Sequence, residues 1–535
     1  MLIVYNAKIY APELLSETAF VVCYGRIFAL GSDEEILSRF SQFAACIDLQ
    51  GRTIWPGLID AHIHLKHLAE TQSVIDCETD TIEECLKRIH QAVKNLPEGA
   101  WVRGHGWNQN LWDGGYGTSQ LLDTVSGDHP VFLSAKSLHA AWVNSRALAL
   151  AGIDKQTPDP PDGSIQRNGK GEPTGILFEN SATQLVQKLI PQPGIPELSI
   201  ELTDLFPKLW SVGLVGAHDF DDINCWKALQ NLHQQGLLKF RVRKNIPYDH
   251  LDAFIQAGIC SNYGDDKLHI GFVKLFADGA LGPQTAAMFT PYAGTTSSGI
   301  LLLTEKEIYD IGTHAVSHGI GLCVHAIGDL AVHSVINAYE KLRHYERDHN
   351  LPHFRHRIEH VQTIVPSDIP RLAKLDIVAS VQPVHIPSDM ETADRLLGER
   401  SRYTFMLNSL HQSGARLIFG SDAPVEPCNP FYGIHAAVTR QRLNGAPAGN
   451  GWHAEQRLTL METLQGFTSA PYESLGHDFT CGRIKPGYNA DFIILPSDPF
   501  LMDSFQLGSI LPEATFIGGE CVYQSSDSEL DLQTK

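Results

Sequence analysis

Basic residues are in deficit: 41 Lys and Arg stand against 61 Asp and Glu, a net charge of −20. A chain so acidic is a poor partner for nucleic acid or an anionic membrane surface. No apolar run approaches the length of a membrane span. No Cys-x-x-Cys pair occurs among the ten cysteines. They are scattered, mostly in apolar segments, as free thiols are in a reducing compartment. Met1–Tyr5 runs into polar Asn6-Ala7-Lys8 without a basic leader or a cleavage-like site, so a cytoplasmic location is expected.

What is present is material for a large core. Apolar residues make up 43% and charged residues 19%, and 535 residues are too many for one ordinary core, so two or three domains are expected. Residues 1 to about 55 read as all-β, through Leu2–Tyr5, Ala19–Cys23 and Arg26–Leu30. Ala490–Leu495 and Glu520–Tyr523 have the same texture at the other end. Neither half can cover both faces alone, so one small β-sandwich built from both termini is expected. The polar, acidic tail from Ser525 to Lys535 reads as disordered.

Between the termini, apolar strands alternate with helical stretches. The strands expected are 58–62, Val212–Ala217, Phe240–Arg243, Gly271–Phe276, Ile320–Val324, Arg357–Glu359, Ile377–Val381 and Arg416–Gly420. Eight strand-helix units close a parallel (β/α)8 barrel of the α/β class, whose active sites lie at the C-terminal strand ends. Residues about 70 to 200 break the rhythm. Aromatic, Gly-rich Trp101–Tyr116, a strand at Pro130–Leu133 and a loop from Asp154 to Gly175 read as a subdomain inserted after strand one, a lid or specificity wall. The division expected is 1–56 with 475–535 for the sandwich, 57–70 with 200–474 for the barrel, and 71–199 for the insertion.

Strand one ends in His62-Ile63-His64. Side chains alternate along a strand, so both imidazoles face the same way and can grip one divalent cation. A lone His-x-His is common by chance. Here Lys274 lies on strand four, His325 and His360 end strands five and six, and Gly420-Ser421-Asp422 follows strand eight. Each has a bland alternative: a satisfied polar group, an ion-pair lysine, a helix cap. Six of them at the C-terminal ends of one expected barrel make a metal site the economical reading.

The pieces Pro56–His64, Val273–Gly279, His325–Asp329, Arg357–His360 and Gly420–Pro424 resemble the amidohydrolase superfamily of metal-dependent hydrolases in its two-metal form. Within it the chain is similar to the YtcJ-like branch, which includes N-substituted formamide deformylase. Ala141–Ser145 and Leu148–Ile153 of the insertion and Pro486-Gly487 with Ala490-Asp491 join the match, so it covers nearly the full length. Ala280 and Gln284 depart from the Ser and Arg common in that branch, and they bear on substrate contacts rather than on metals.

The resemblance implies two zinc ions per chain. His62, His64 and Asp422 would hold one, His325 and His360 the other, with Lys274, carboxylated by carbon dioxide, as the bridge. An unmodified ammonium only donates and repels cations, so lysine could ligate only if altered. A hydroxide between the metals would be the nucleophile, and Asp422 would move its proton to the leaving nitrogen. The expected activity is hydrolysis of a non-peptide carbon–nitrogen bond, an amide or N-formyl group, in a small-molecule substrate. Nitrogen and oxygen ligands suit zinc, with manganese or iron also compatible.

Beyond the metals, Asp278 reads equally as a loop cap or a substrate contact. His139 is a candidate to reach the pocket from the insertion. Trp107 and Trp112 suit lid packing, with Trp107 kept as a candidate substrate contact. His218 faces the mouth if strand alternation holds, and Cys428 reads as structural. The rival functions are a one-metal deaminase, which lacks the bridging lysine, and a catalytically dead regulatory or binding scaffold. Oligomeric state is not encoded legibly; a homodimer is compatible with such a barrel.

Overall fold

The computed structural model of the protein describes residues 1–11, 13–72, 74–94, 96–191, 193–475 and 480–532. Eight parallel strands form the barrel: β1 (Leu58–Ile63), β2 (Leu214–Asp219), β3 (Arg241–Pro247), β4 (Leu268–Phe276), β5 (Leu322–Ala326), β6 (Arg357–His360), β7 (Val378–Val381) and β8 (Arg416–Phe419). Each pairs in parallel with the next in the order of the chain. All eight strands expected from the apolar runs are there. β2 starts two residues later than the run suggested, because Val212 caps the helix Ile195–Ser211 and Gly213 turns away from it at φ 85°. β1 is buried along its whole length, as a strand covered on both faces must be.

Helices clothe the outside. Glu305–Ser317 starts at a Thr304–Glu307 capping box, which satisfies two of its orphan N–H groups. It buries Ile308, Ala315 and Val316, a helical spacing that lays one apolar stripe on the barrel. Asp329–Asp348 does the same with Val332, Val335, Ile336 and Tyr339, and the Tyr339 hydroxyl donates to the Arg357 carbonyl at 2.9 Å.

The barrel closes where β8 meets β1. The Asp422 N–H donates to the His62 carbonyl at 2.7 Å, and the His64 N–H to the Ala423 carbonyl at 2.9 Å. Buried Asp60 completes the seam, accepting the backbone N–H groups of His62 and Ser421 at 3.0 Å each and the Ser421 hydroxyl at 2.5 Å. Gly420 is required at this crossing, since a Cβ there would lie 2.5 Å from the His62 nitrogen.

The sandwich forms as expected. Its four-stranded sheet runs Arg26–Gly31, Ala19–Cys23, Leu2–Tyr5, Ala45–Asp48, and its five-stranded sheet runs Lys8–Ile9, Thr53–Pro56, Phe492–Leu495, Ala514–Ile517, Glu520–Gln524. Both termini feed one core, in which Phe492 stacks on Phe516 at 4.5 Å and meets Phe20 edge-on at 5.2 Å. Arg241 of β3 grips Asp491 with two nitrogens, at 2.5 and 2.8 Å, and ties sandwich to barrel. The tail departs from expectation. Leu530 and Leu532 are buried in the sandwich core, and Gln524 donates to the Leu530 carbonyl at 2.8 Å. Two leucines anchor the segment despite its acidic composition; 533–535 lie outside the described residues.

The insertion is a six-stranded sheet ordered Ser164–Arg167, Pro173–Phe178, Ala140–Val143, Val131–Ala135, Val102–Trp107, Ile75–Asp76. The expected loop at 154–175 thus contains a hairpin. Its Gly and Asn belong to the turn, where Gly171 takes φ 78° and Asn168 accepts from Lys170 and Glu172.

Asp60→Ala would strand three buried donors at the seam, each costing about 1–3 kcal/mol. The urea midpoint of the variant is expected to fall well below that of the wild type. An unchanged midpoint would mean the seam holds without this carboxylate.

Candidate metal centre

His62 is buried and His64 nearly so, both at the C-terminal end of β1. The His62 Nδ1 lies 2.7 Å from Glu359 Oε2, and the His64 Nδ1 lies 3.1 Å from Asp221 Oδ1. A carboxylate only accepts, so each Nδ1 carries the proton and donates it, leaving Nε2 for the other side. Both Nε2 atoms face one oxygen, Asp422 Oδ1, at 3.4 and 3.3 Å. These donor atoms gather within 4.8 Å of one another. The place calls for positive charge. Burial opposes it, yet Asp221 and Asp422 draw the His64 imidazole up to about 10. Burial and Lys274 hold His62 down to about 4. Carboxylates behind the histidines, fixing tautomer and ring orientation, are the supporting shell of metal-binding imidazoles.

The other three candidates line the same pocket. His325 places Nε2 2.9 Å from the Gly279 carbonyl, so that nitrogen donates and Nδ1 is left with its lone pair free. The His325 and His360 rings meet at 4.5 Å, and His360 meets His62 at 5.0 Å. Burial holds both well below the usual histidine value, in the neutral form that ligates metal. Lys274 is buried against the rings of Phe220 and Phe276, with Nζ at 4.5 and 4.8 Å from their centroids. Its burial lowers its basicity, and among the described residues its Nζ makes no hydrogen bond or ion pair. The donor atoms of His325 and His360 do not join the tight set formed by His62, His64 and Asp422.

Backbone strain marks two of the six. His360 has φ 75° and Asp422 φ 61°, left-handed conformations that cost side-chain-bearing residues free energy. On β6, alternation turns Arg357 and Glu359 inward and would turn His360 out; its left-handed backbone brings it back to the mouth.

Sequence reasoning missed the supports. Arg357 lies wholly inside the barrel, donating to the Ala61 carbonyl at 2.8 Å, Glu359 Oε2 at 3.0 Å and the Ser380 hydroxyl at 3.0 Å. Burial alone would raise Glu359, but Arg357 and then His62 hold it well below the usual carboxylate range. The Arg357 side chain also donates to His218 Nδ1 at 2.8 Å, so His218 is spent inside the barrel and does not serve the mouth. Phe220 stacks on His62 at 4.0 Å, and His385 lies with Nε2 3.9 Å from Asp422 Oδ2. The Arg-x-Glu spacing on β6 was a readable signal; nothing in the sequence pairs Asp221 with His64.

Of the three candidate substrate contacts, His139 reaches the pocket. Its ring lies 5.7 Å from that of His325, and its Nδ1 pairs with Glu179 Oε2 at 2.8 Å. Asp278 is a correction. It is fully buried and accepts three backbone N–H groups, from Ala287, Ile327 and Gly328 at 2.9, 3.0 and 2.7 Å, so it anchors loops rather than facing substrate. Burial pushes it up to about 7. Trp107 is the second correction. Its buried indole donates to the Leu133 carbonyl at 2.8 Å and packs on Trp112 and Trp142. Cys428 is buried, as a structural thiol is.

Glu359→Gln and Asp221→Asn each remove charge behind one imidazole. Each is expected to weaken divalent-cation binding about 10–100-fold with the far-ultraviolet circular dichroism unchanged. Competition with a chromogenic chelator measures this, and wild-type affinity in both variants would deny those carboxylates their supporting role.

A sequence profile described as the amidohydrolase family matches residues 45–523. The chain is similar to the putative amidohydrolase YtcJ of Bacillus subtilis (strain 168), 33% identical over 514 residues, covering 94% of this chain and 95% of that protein. It is similar to the N-substituted formamide deformylase of Arthrobacter pascens, 27% identical over 545 residues, covering 98% and 99%. Among solved structures it resembles an uncharacterized metal-dependent hydrolase from Pyrococcus horikoshii OT3, with TM-score 0.76 and 26% identity over 94% of this chain and 99% of that one. The matched span runs from the first sheet of the sandwich to its last strand and takes in the barrel and the insertion between them, so the chain belongs to the amidohydrolase family, in its YtcJ-like branch.

Proposed function

We propose that this metal-dependent hydrolase cleaves a carbon–nitrogen bond other than a peptide bond, an amide or N-formyl group, using two divalent cations, most naturally zinc. The observation that carries the reading is the meeting of His62 Nε2, His64 Nε2 and Asp422 Oδ1, with both histidines backed by carboxylates. That donor set fits a cation on chemical grounds: two imidazoles and a carboxylate converge in a buried place, where a metal can replace the proton that Asp221 and Asp422 hold on His64. His325 and His360, neutral and adjacent, would hold the second. Lys274 fits the bridging role. A buried amine of lowered basicity, free of hydrogen bonds among the described residues, gives up its proton more readily than an exposed lysine, which favours carbamate formation with carbon dioxide.

When bound, the cations supply a water of lowered pKa and polarise the scissile carbonyl. The chain's own groups do the rest. Asp422 is ionised, held well below the usual carboxylate range by the histidines around it despite its burial, so it can take the proton of the attacking water. The same oxygen can pass that proton to the leaving nitrogen. Glu359 and Asp221 keep the two imidazoles of β1 in the ligating tautomer throughout. The name of the Arthrobacter pascens relative supports an N-substituted formamide as one substrate type. All ten cysteines are free, which supports a reducing, cytoplasmic setting, and among the described residues no helix is long and apolar enough to cross a membrane.

One observation favours a second reading. Of the six candidate ligands, only His62, His64 and Asp422 gather into a tight set, enough for one cation, as in a deaminase of the same superfamily. The bare, buried Lys274 amine weighs for two.

Amine release from a panel of N-formyl and N-acyl amines is the test. Hydrolysis is expected that a chelator abolishes and zinc restores, with Asp422→Asn lowering kcat by about 10²–10⁴-fold. Hydrolysis indifferent to both would contradict the reading, and ammonia released from ring amino groups instead would favour the deaminase.

A further inference from the structure

Charge around the mouth narrows the substrate further, on the assumption that the hydrolase reading above holds. The segment 277–303 that follows β4 holds no Lys or Arg. Neither do 220–222 after β2, 248–250 after β3, 327–328 after β5, 361–368 after β6 or 420–429 after β8. Several cations from the segments after β1 and β7 and from the insertion are engaged, Arg103 among them, paired with Glu70 at 3.2 Å. Lys66 donates to Asp222 at 2.7 Å. Arg400 spends both nitrogens on the Thr290 and Pro291 carbonyls, at 2.9 and 2.6 Å, and Arg402 lies over the Tyr403 ring. Lys136 of the insertion is shared between Glu78 at 2.6 Å and Glu426 at 3.3 Å. Arg395 stands on the outer rim, bonded to Asn110 at 3.0 Å.

Acids remain. Glu426 follows β8, and Asp389, held by Gln362 at 2.8 Å, sits on the helix after β7 beside His385. His139, the insertion's contribution near His325, comes already paired with Glu179. A carboxylate or phosphate on the substrate would therefore lose its water in an acid-lined mouth and, among the described residues named here, find no free guanidinium or ammonium to replace it apart from Lys274, which the reading above carboxylates. The overall charge of −20 adds a long-range field of the same sign.

We propose that the mouth selects uncharged or cationic amides and rejects amides that carry a carboxylate or phosphate beside the scissile bond. This is specificity by exclusion: the acids act against the wrong ligand rather than gripping the right one.

Three probes of one skeleton test it on the zinc-loaded enzyme: N-formylphenylalanine, its neutral carboxamide, and the carboxamide of N-formyl-lysine. The two carboxamides are expected to exceed the carboxylate in kcat/KM by about tenfold or more at low salt, with the gap narrowing at high salt. Asp389→Asn combined with Glu426→Gln is expected to narrow it too. Calorimetric Kd values for the same compounds give a readout that does not need turnover, and the carboxylate is expected to bind most weakly. A carboxylate that binds and reacts as well as its carboxamide overturns the proposal, more so if Arg395→Gln abolishes that preference. Failure of the underlying reading looks different: no probe is hydrolysed, with or without zinc, whatever the order of binding.

Discussion

The structure depends on one buried chain of charge, Arg357 to Glu359 to His62. An ionised carboxylate inside a barrel is costly unless a donor-rich cation stands beside it. Arg357 is that cation. Its fork reaches Glu359, the Ala61 carbonyl and Ser380, so one side chain binds β6 to β1 and β7 at once. Glu359, kept charged, accepts a hydrogen bond from the His62 Nδ1–H and aims Nε2 at Asp422. Asp60 does the complementary work on the seam, binding the backbone of His62 and the whole of Ser421. The two halves of the candidate ligand set, from the first and last strands, are thereby fixed by contacts from residues outside that set. Rigidity of this kind is what a precise cation site needs.

The insertion is held over the barrel as a wall, by contacts on several sides. Lys136 reaches Glu426, His105 Nε2 lies 3.2 Å from the Pro424 carbonyl, and Arg103 pairs with Glu70 at 3.2 Å. On the opposite side Glu179 presses on the loop after β4, where a Cβ on Gly279 would lie 2.8 Å from its Oε1. The carbonyl of that same glycine orients His325. A contact of the insertion and the orientation of a candidate ligand therefore meet at one peptide.

The barrel was legible because its strands are buried on both faces and announce themselves as apolar runs between helical stretches. The six candidate ligands were legible because alternation and strand ends assign them to one face, although His360 reaches it only through a left-handed backbone. The hairpin at 164–178 was hidden by its own turn chemistry, and the ordered tail by its acidity, since two leucines outweigh composition. Asp278 and Trp107 carry the chemistry of site residues, and only burial reveals that their hydrogen bonds are spent on the backbone. Asp221 could not be read at all. Its partnership with His64 joins residues far apart in the chain, and no periodicity encodes it.

On the function proposed above, Lys274, bare and buried among aromatic rings, completes a site for two cations rather than one. Elemental analysis of the native protein and of Lys274→Ala tests it most directly. About two zinc-like ions per chain are expected in the wild type, falling sharply in the variant. One ion per chain, untouched by loss of the lysine, would contradict it and leave His62, His64 and Asp422 as a complete site by themselves.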